Sequence, residues 1–163
     1  MMNSNNSSIR SSREIPRRIV LIFIGLGFLG FLDSLYLTIE HYLGAEVVCT
    51  IVEGCNEVLQ SKYAIIFGIP LSLVGVGYYT AVILLSFAFL DTKAIFFMRA
   101  MGILTSFGFL FSIVFVSLQQ FVLHAYCIYC LGSALISTIL FLFSAILYMR
   151  YIRLKSRSTN DQA

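Results

Sequence analysis

The stretch AYCIYCLGSALISTILFLFSAILYM, residues 125–149, decides the fold. It holds no Asp, Glu, Lys or Arg. As a helix rising about 1.5 Å per residue, it is long enough to cross a hydrocarbon core of about 30 Å. A helix satisfies its own backbone polar groups, which an open strand in lipid cannot do. Three comparable runs precede it, at roughly residues 19–37, 69–90 and 100–123. The chain has 163 residues, 59% hydrophobic and 12% charged, against about 25% charged in a soluble domain. The apolar excess sits in those four runs, which excludes an ordinary soluble fold. The pattern predicts an all-α integral membrane protein, a four-transmembrane-helix bundle with a long extracytoplasmic loop between helices 1 and 2.

The bundle is expected over residues 18–151. Residues 1–17 read as a disordered basic cytoplasmic tail and residues 152–163 as a second cytoplasmic tail. Basic residues before an apolar run also suit a cleavable signal peptide. The first run exceeds the usual 7–15 residues, however, and no small-x-small site follows it closely. It is therefore expected to remain as the first span.

Charge sets the orientation. Arg10, Arg13, Arg17 and Arg18 precede the first span, Lys93 and Arg99 lie between the second and third, and Arg150, Arg153, Lys155 and Arg157 follow the fourth. Of the 11 basic residues only Lys62 falls on the other side. By the positive-inside rule both termini are cytoplasmic in an inner (plasma) membrane, and residues 40–67 and 120–126 face outward. The formal charge of +3 thus bears on topology, and no nucleic-acid partner is expected.

This topology puts all four cysteines on the outer, oxidising side, where disulfides form and persist. Cys49 and Cys55 lie in the first outward loop, and Cys127 and Cys130 form a C-x-x-C at the start of the fourth span. Unpaired first-turn N–H groups and the helix dipole stabilise a thiolate at such a helix start. Residues three apart share a helical face, so Cys127 and Cys130 can bridge, with Cys130 roughly 4.5 Å deeper. Gly54 beside Cys55 suits a mobile loop, while Glu53 and Glu57 tend to raise a neighbouring thiol pKa. Two dithiol pairs on one face point to an electron relay. Two stapling disulfides on a non-enzymatic scaffold are the main alternative, and a four-cysteine zinc site is another. No metal is expected, because the oxidising side disfavours free thiolates and the two pairs are separated by long helices.

The residues then resemble the vitamin K epoxide reductase family in its bacterial form. The resemblance rests on Asp33-Ser34-Leu35-Tyr36-Leu37-Thr38, C-x5-C, Ser61, Gly68-Ile69-Pro70-Leu71-Ser72, Gly75, Tyr78-Tyr79 and Cys127-Ile128-Tyr129-Cys130. It implies a four-helix membrane thiol–disulfide oxidoreductase with a quinone (ubiquinone or menaquinone) as redox partner. It also implies a DsbA-like, thioredoxin-fold protein as thiol partner, in support of disulfide formation. Carried over, Cys130 is the quinone-facing thiol and Cys127 its disulfide partner. Cys55 exchanges with Cys127, and Cys49 takes part in exchange with the outside protein. Ser61, Ser72 and His124 join Cys130 as candidate quinone-binding residues. Leu71 and Ala134 stand where epoxide-reducing members carry Asn and Tyr, which argues against vitamin K epoxide as substrate, although a quinone or epoxide reductase driven by another thiol donor is a further alternative. The chain ends shortly after the fourth span, so the thiol partner is expected to be a separate protein. DsbB-type oxidants place the C-x-x-C in the first outward loop, the reverse of the order here.

Asp33 is an ionisable group inside a span, a functional candidate by default, though near enough to the outward end to reach interfacial water. Phe107, Phe109, Phe111 and Phe115 are expected mainly to face lipid or pack, with a quinone pocket as the other possibility. Tyr78, Tyr79 and Tyr126 suit an interfacial belt.

Overall fold

The computed structural model describes residues 17–44, 54–66, 68–92 and 94–160, with the backbone alone at 17, 18, 66 and 154–160. Cys49, both outer tail segments and most of the first loop's beginning lie outside the described residues. Four long helices carry the architecture: α1 (Arg17–Leu43), α3 (Leu71–Thr92), α4 (Ile95–Leu118) and α5 (Ile128–Asn160). Between α1 and α3 come a one-turn helix, α2 (Cys55–Leu59), and a two-residue antiparallel ladder, β1 (Ile65–Ile66) with β2 (Ile69–Pro70). A π-helical turn, Gln119–Leu123, extends α4.

All four long helices are long and apolar enough to span a membrane, over Ile19–Leu43, Leu71–Thr92, Ile95–Leu123 and Ile128–Arg153. The protein is a multi-pass membrane bundle. Its most extensive interfaces are α1 on α3 and α4 on α5, and α3 on α4 with α1 on α5 closes the ring. Val20, Phe23, Val82, Met101 and Leu140 fill the interior. Leu21, Phe28, Leu84, Ile103 and Leu135 point outward and are exposed, which in lipid requires no cover. Hydroxyls within the spans bond back along their own helix, as in Thr38 Oγ1 to Ser34 O (2.7 Å), Ser86 Oγ to Val82 O (2.7 Å) and Thr105 Oγ1 to Met101 O (2.9 Å). Each thereby avoids an unmet polar group where there is no water.

The spans differ from the sequence boundaries at their ends. The first continues to Leu43 and the third starts at Ile95, each several residues beyond the apolar run. The fourth begins at Ile128 rather than residue 125. The reason is local: His124 adopts a left-handed conformation (φ 51°) that ends the π turn, and the chain re-enters a helix only after Cys127. Tyr79 and Tyr78 also correct the interfacial-belt expectation, whereas Tyr126 is exposed. Tyr79 is 1% exposed and ties α3 to α5 through Ser133, donating to its carbonyl (3.0 Å) and meeting its Oγ at 2.7 Å. Tyr78 reaches Ser137 Oγ at 3.2 Å. Gly30 makes room for this arrangement, since a Cβ there would overlap the Tyr79 ring.

Candidate active site at the C-x-x-C helix start

Cys127 occupies the position just before α5 and caps it. Its carbonyl accepts the Leu131 N–H (3.0 Å), and its sulfur accepts the Cys130 N–H (3.3 Å). A side-chain acceptor reaching the third N–H of a helix is what Ser or Asp supplies at an N-cap; here the Cys127 sulfur supplies it. The Cys130 thiol beside Cys127 holds the Cys127 pKa below the usual cysteine range. The Cys130 and Tyr129 N–H groups add to that lowering, and burial opposes it.

Upstream, Gln119 opens the π turn on the same helical face as Phe111, Ser112, Phe115 and Leu118, and it is 1% exposed. Such turns are rare and frequently found at functional sites. Gln119 Oε1 accepts the Cys127 N–H at 2.9 Å, so a backbone donor outside any helix ladder is satisfied. Gln119 Nε2 is buried and has no partner among the described residues. Sequence reasoning passed over Gln119; its one visible signal is a polar Gln119-Gln120 doublet at the end of an apolar run.

Cys55 is the first residue of α2, 1% exposed and disulfide-bonded, whereas Cys127 and Cys130 are thiols. Cys49 lies outside the described residues. Cys55 and Cys127 share one buried cluster with Leu37, Val58 and Ala125. The approach depends on Gly54. A Cβ there would lie 2.7 Å from Tyr126 N and 3.0 Å from both Ala125 Cβ and Tyr126 O. The glycine expected to give the loop mobility is thus a packing position, admitting α2 to the chain just before Cys127.

Inside the bundle is a cavity of about 480 Å³. Cys130 lines it, and Cys127 does not. Of the C-x-x-C pair, Cys127 thus shares a buried cluster with Cys55, while Cys130 reaches the cavity wall. Ser61 and Ser72 are on the wall, though the Ser61 hydroxyl donates to Val58 O at 2.7 Å. His124 is exposed and lies outside the wall, so the structure does not bring this candidate to the others. Leu71 and Ala134 line the cavity and offer no side-chain hydrogen bond there. Phe107, Phe111 and Phe115 also line it, while Phe109 stacks on Phe141 with centroids 4.7 Å apart. Asp33 is on the wall too, and its buried Oδ2 has no partner among the described residues. Those residues hold no cluster of three or more metal-ligating side chains.

A profile of the vitamin K epoxide reductase family matches residues 21–145, a span that takes in the cysteines and the whole cavity. The chain belongs to the vitamin K epoxide reductase family. It is also similar to the thiol-disulfide oxidoreductase LTO1 of Arabidopsis thaliana, with 33% identity over 121 residues. That match covers 69% of this chain and 32% of the plant protein, so the chain corresponds to about a third of that relative's length. In this member of the vitamin K epoxide reductase family, the matched region contains the disulfide-bonded Cys55, Cys127 at the cap of α5 and Cys130 on the cavity wall.

Proposed function

We propose that the protein is a membrane thiol–disulfide oxidoreductase that passes electron pairs from a DsbA-like, thioredoxin-fold protein to a membrane quinone. The observation that carries this reading is the shared cluster of Cys55 and Cys127, with Cys130 turned to the cavity. Electrons enter at Cys49 and Cys55. A Cys55 thiolate attacks the Cys127 sulfur of a Cys127–Cys130 disulfide, releasing Cys130 as thiolate. Cys49 then attacks Cys55, closing the loop disulfide and leaving Cys127 as thiolate. Two electrons have moved inward, and the dithiol so formed corresponds to the thiols seen at Cys127 and Cys130.

The cavity fits a quinone head. Its volume lies in the usual range for small-molecule sites, about 300–1,000 Å³, and aromatic and aliphatic side chains dominate the wall. Two buried polar atoms without partners among the described residues, Gln119 Nε2 and Asp33 Oδ2, belong to wall residues, as does the Cys130 thiol. A bound quinone would supply a two-electron, two-proton acceptor. Cys130 presents its sulfur to that space, and Asp33 Oδ2 can hold or release a proton there. The apolar Leu71 and Ala134 fit an acceptor other than vitamin K epoxide.

The charge distribution supports a plasma-membrane orientation with both termini cytoplasmic and the cysteine end outward. Quinone-driven oxidation of this kind keeps an outer compartment oxidising kinetically. The test is quinone-dependent oxidation of a reduced DsbA-like protein by the purified chain in lipid. Cys130→Ser should abolish turnover; undiminished turnover would refute the relay.

A further inference from the structure

We propose that Gln119 is the acceptor-binding residue of the cavity, donating from Nε2 to a carbonyl oxygen of the electron acceptor while Oε1 holds the Cys127 N–H. This rests on the quinone reading above. The orientation of the amide is fixed by chemistry. A backbone N–H only donates, so the atom 2.9 Å from Cys127 N must be the amide oxygen. The nitrogen is then turned elsewhere, on a residue 1% exposed that lines the cavity. A buried N–H pair without a partner is rare in a folded protein and calls for one.

Several of the wall's other polar groups are already engaged or cannot donate. The Ser61, Ser112 and Tyr79 hydroxyls donate to the carbonyls of Val58, Gly108 and Ser133. Leu71 and Ala134 have nothing to donate. Asp33 Oδ2 is an acceptor when ionised, which a bare carbonyl cannot satisfy. The orphaned donor therefore selects a ligand with an accessible carbonyl oxygen, and the helical face that runs through Phe111, Phe115 and Leu118 is what delivers it. One amide then touches both the acceptor and the backbone of Cys127. A hydrogen bond at Nε2 polarises the amide and strengthens the one at Oε1, so the arrival of the acceptor firms the seat of Cys127.

The experiment uses the full chain in lipid nanodiscs and a short-chain ubiquinone with an isotope-labelled carbonyl. In the parent, the bound carbonyl's infrared band should move to lower frequency than in lipid alone. Gln119→Met, close in size but without an N–H, should remove that shift and weaken binding about tenfold, the worth of one such hydrogen bond. Equal bands and equal affinities in the two proteins would overturn the assignment. A second measurement needs no variant: dipolar coupling between the labelled carbonyl and side-chain nitrogen of labelled glutamine in the parent. Absent coupling with the quinone bound would sink the Gln119 assignment alone, whereas a parent that binds no quinone would sink the proposed function with it.

Discussion

Gly54→Ala is the sharpest test of the contact between the two cysteine pairs. The added Cβ would meet Tyr126 N at 2.7 Å, where ordinary contact begins at 3.4 Å, so α2 must retreat by about 0.7 Å. The obstacle is backbone, which a rotamer change cannot clear. Overpacking of this kind costs about 1–3 kcal/mol, and a misplacement near 1 Å can slow a reaction about a hundredfold. Disulfide exchange between Cys55 and Cys127 should fall ten- to a hundredfold. The assay uses a Cys49→Ser, Cys130→Ser background, in which the one disulfide the chain can form within itself is Cys55–Cys127. The fraction of that disulfide is measured in glutathione buffers by alkylation and mass spectrometry. Gly25→Ala serves as control, because its Cβ would meet nothing within 4 Å. If Gly54→Ala forms the Cys55–Cys127 disulfide as readily as the parent background, the close approach is not what permits exchange.

The depressed Cys127 pKa gives a pH test. Thiolate ultraviolet absorbance should persist below about pH 8.5, where free cysteine is half ionised, and Cys130→Ala, which removes the chief donor to the Cys127 sulfur, should move the midpoint upward; an unchanged midpoint would refute the capping account. Because the folded pKa is the lower one, the associated stability is present above the unfolded pKa and is lost as pH falls through the folded value. In the bundle interior, Tyr79→Phe should cost about 1–2 kcal/mol by removing the hydroxyl that bonds the Ser133 carbonyl and meets its Oγ. Thermal unfolding in detergent measures it, and an unchanged midpoint would mean the α3–α5 tie carries little.

Much of the fold was legible in the sequence, because lipid imposes one rule on every span: long, apolar and self-satisfied in hydrogen bonds. Residues 125–149 and the three earlier runs follow it. The C-x-x-C was legible for a similar reason, since helix-start chemistry is local. The span ends were not. They depend on His124 turning left-handed and on Cys127 acting as a cap, which leave no periodic trace. Tyr79 read as an interfacial residue because tyrosine suits both a wet boundary and a buried hydrogen bond, and only the position of Ser133 decides between them. Gln119 was hidden for a subtler reason. It continues the helical face of Phe111, Ser112, Phe115 and Leu118 along the wall, but a glutamine at the end of an apolar run reads equally as a residue facing interfacial water.

The cap also supplies a direction for electron flow in the proposed relay. A disulfide whose reduced form is stabilised is the stronger oxidant. The Cys127 thiolate is stabilised by the Cys130 thiol and by two first-turn N–H groups. Cys55 begins a helix of five residues with Glu57 in its first turn, and so short a helix beside a carboxylate offers a thiolate much less. The difference favours electrons on the C-x-x-C and the disulfide at Cys55, the distribution the structure holds. Cys127 is correspondingly the better leaving group when a Cys55–Cys127 disulfide is resolved, because a lower thiol pKa leaves faster. Cys130 then stands reduced on the cavity wall, where an acceptor dissolved in the bundle can take the electron pair.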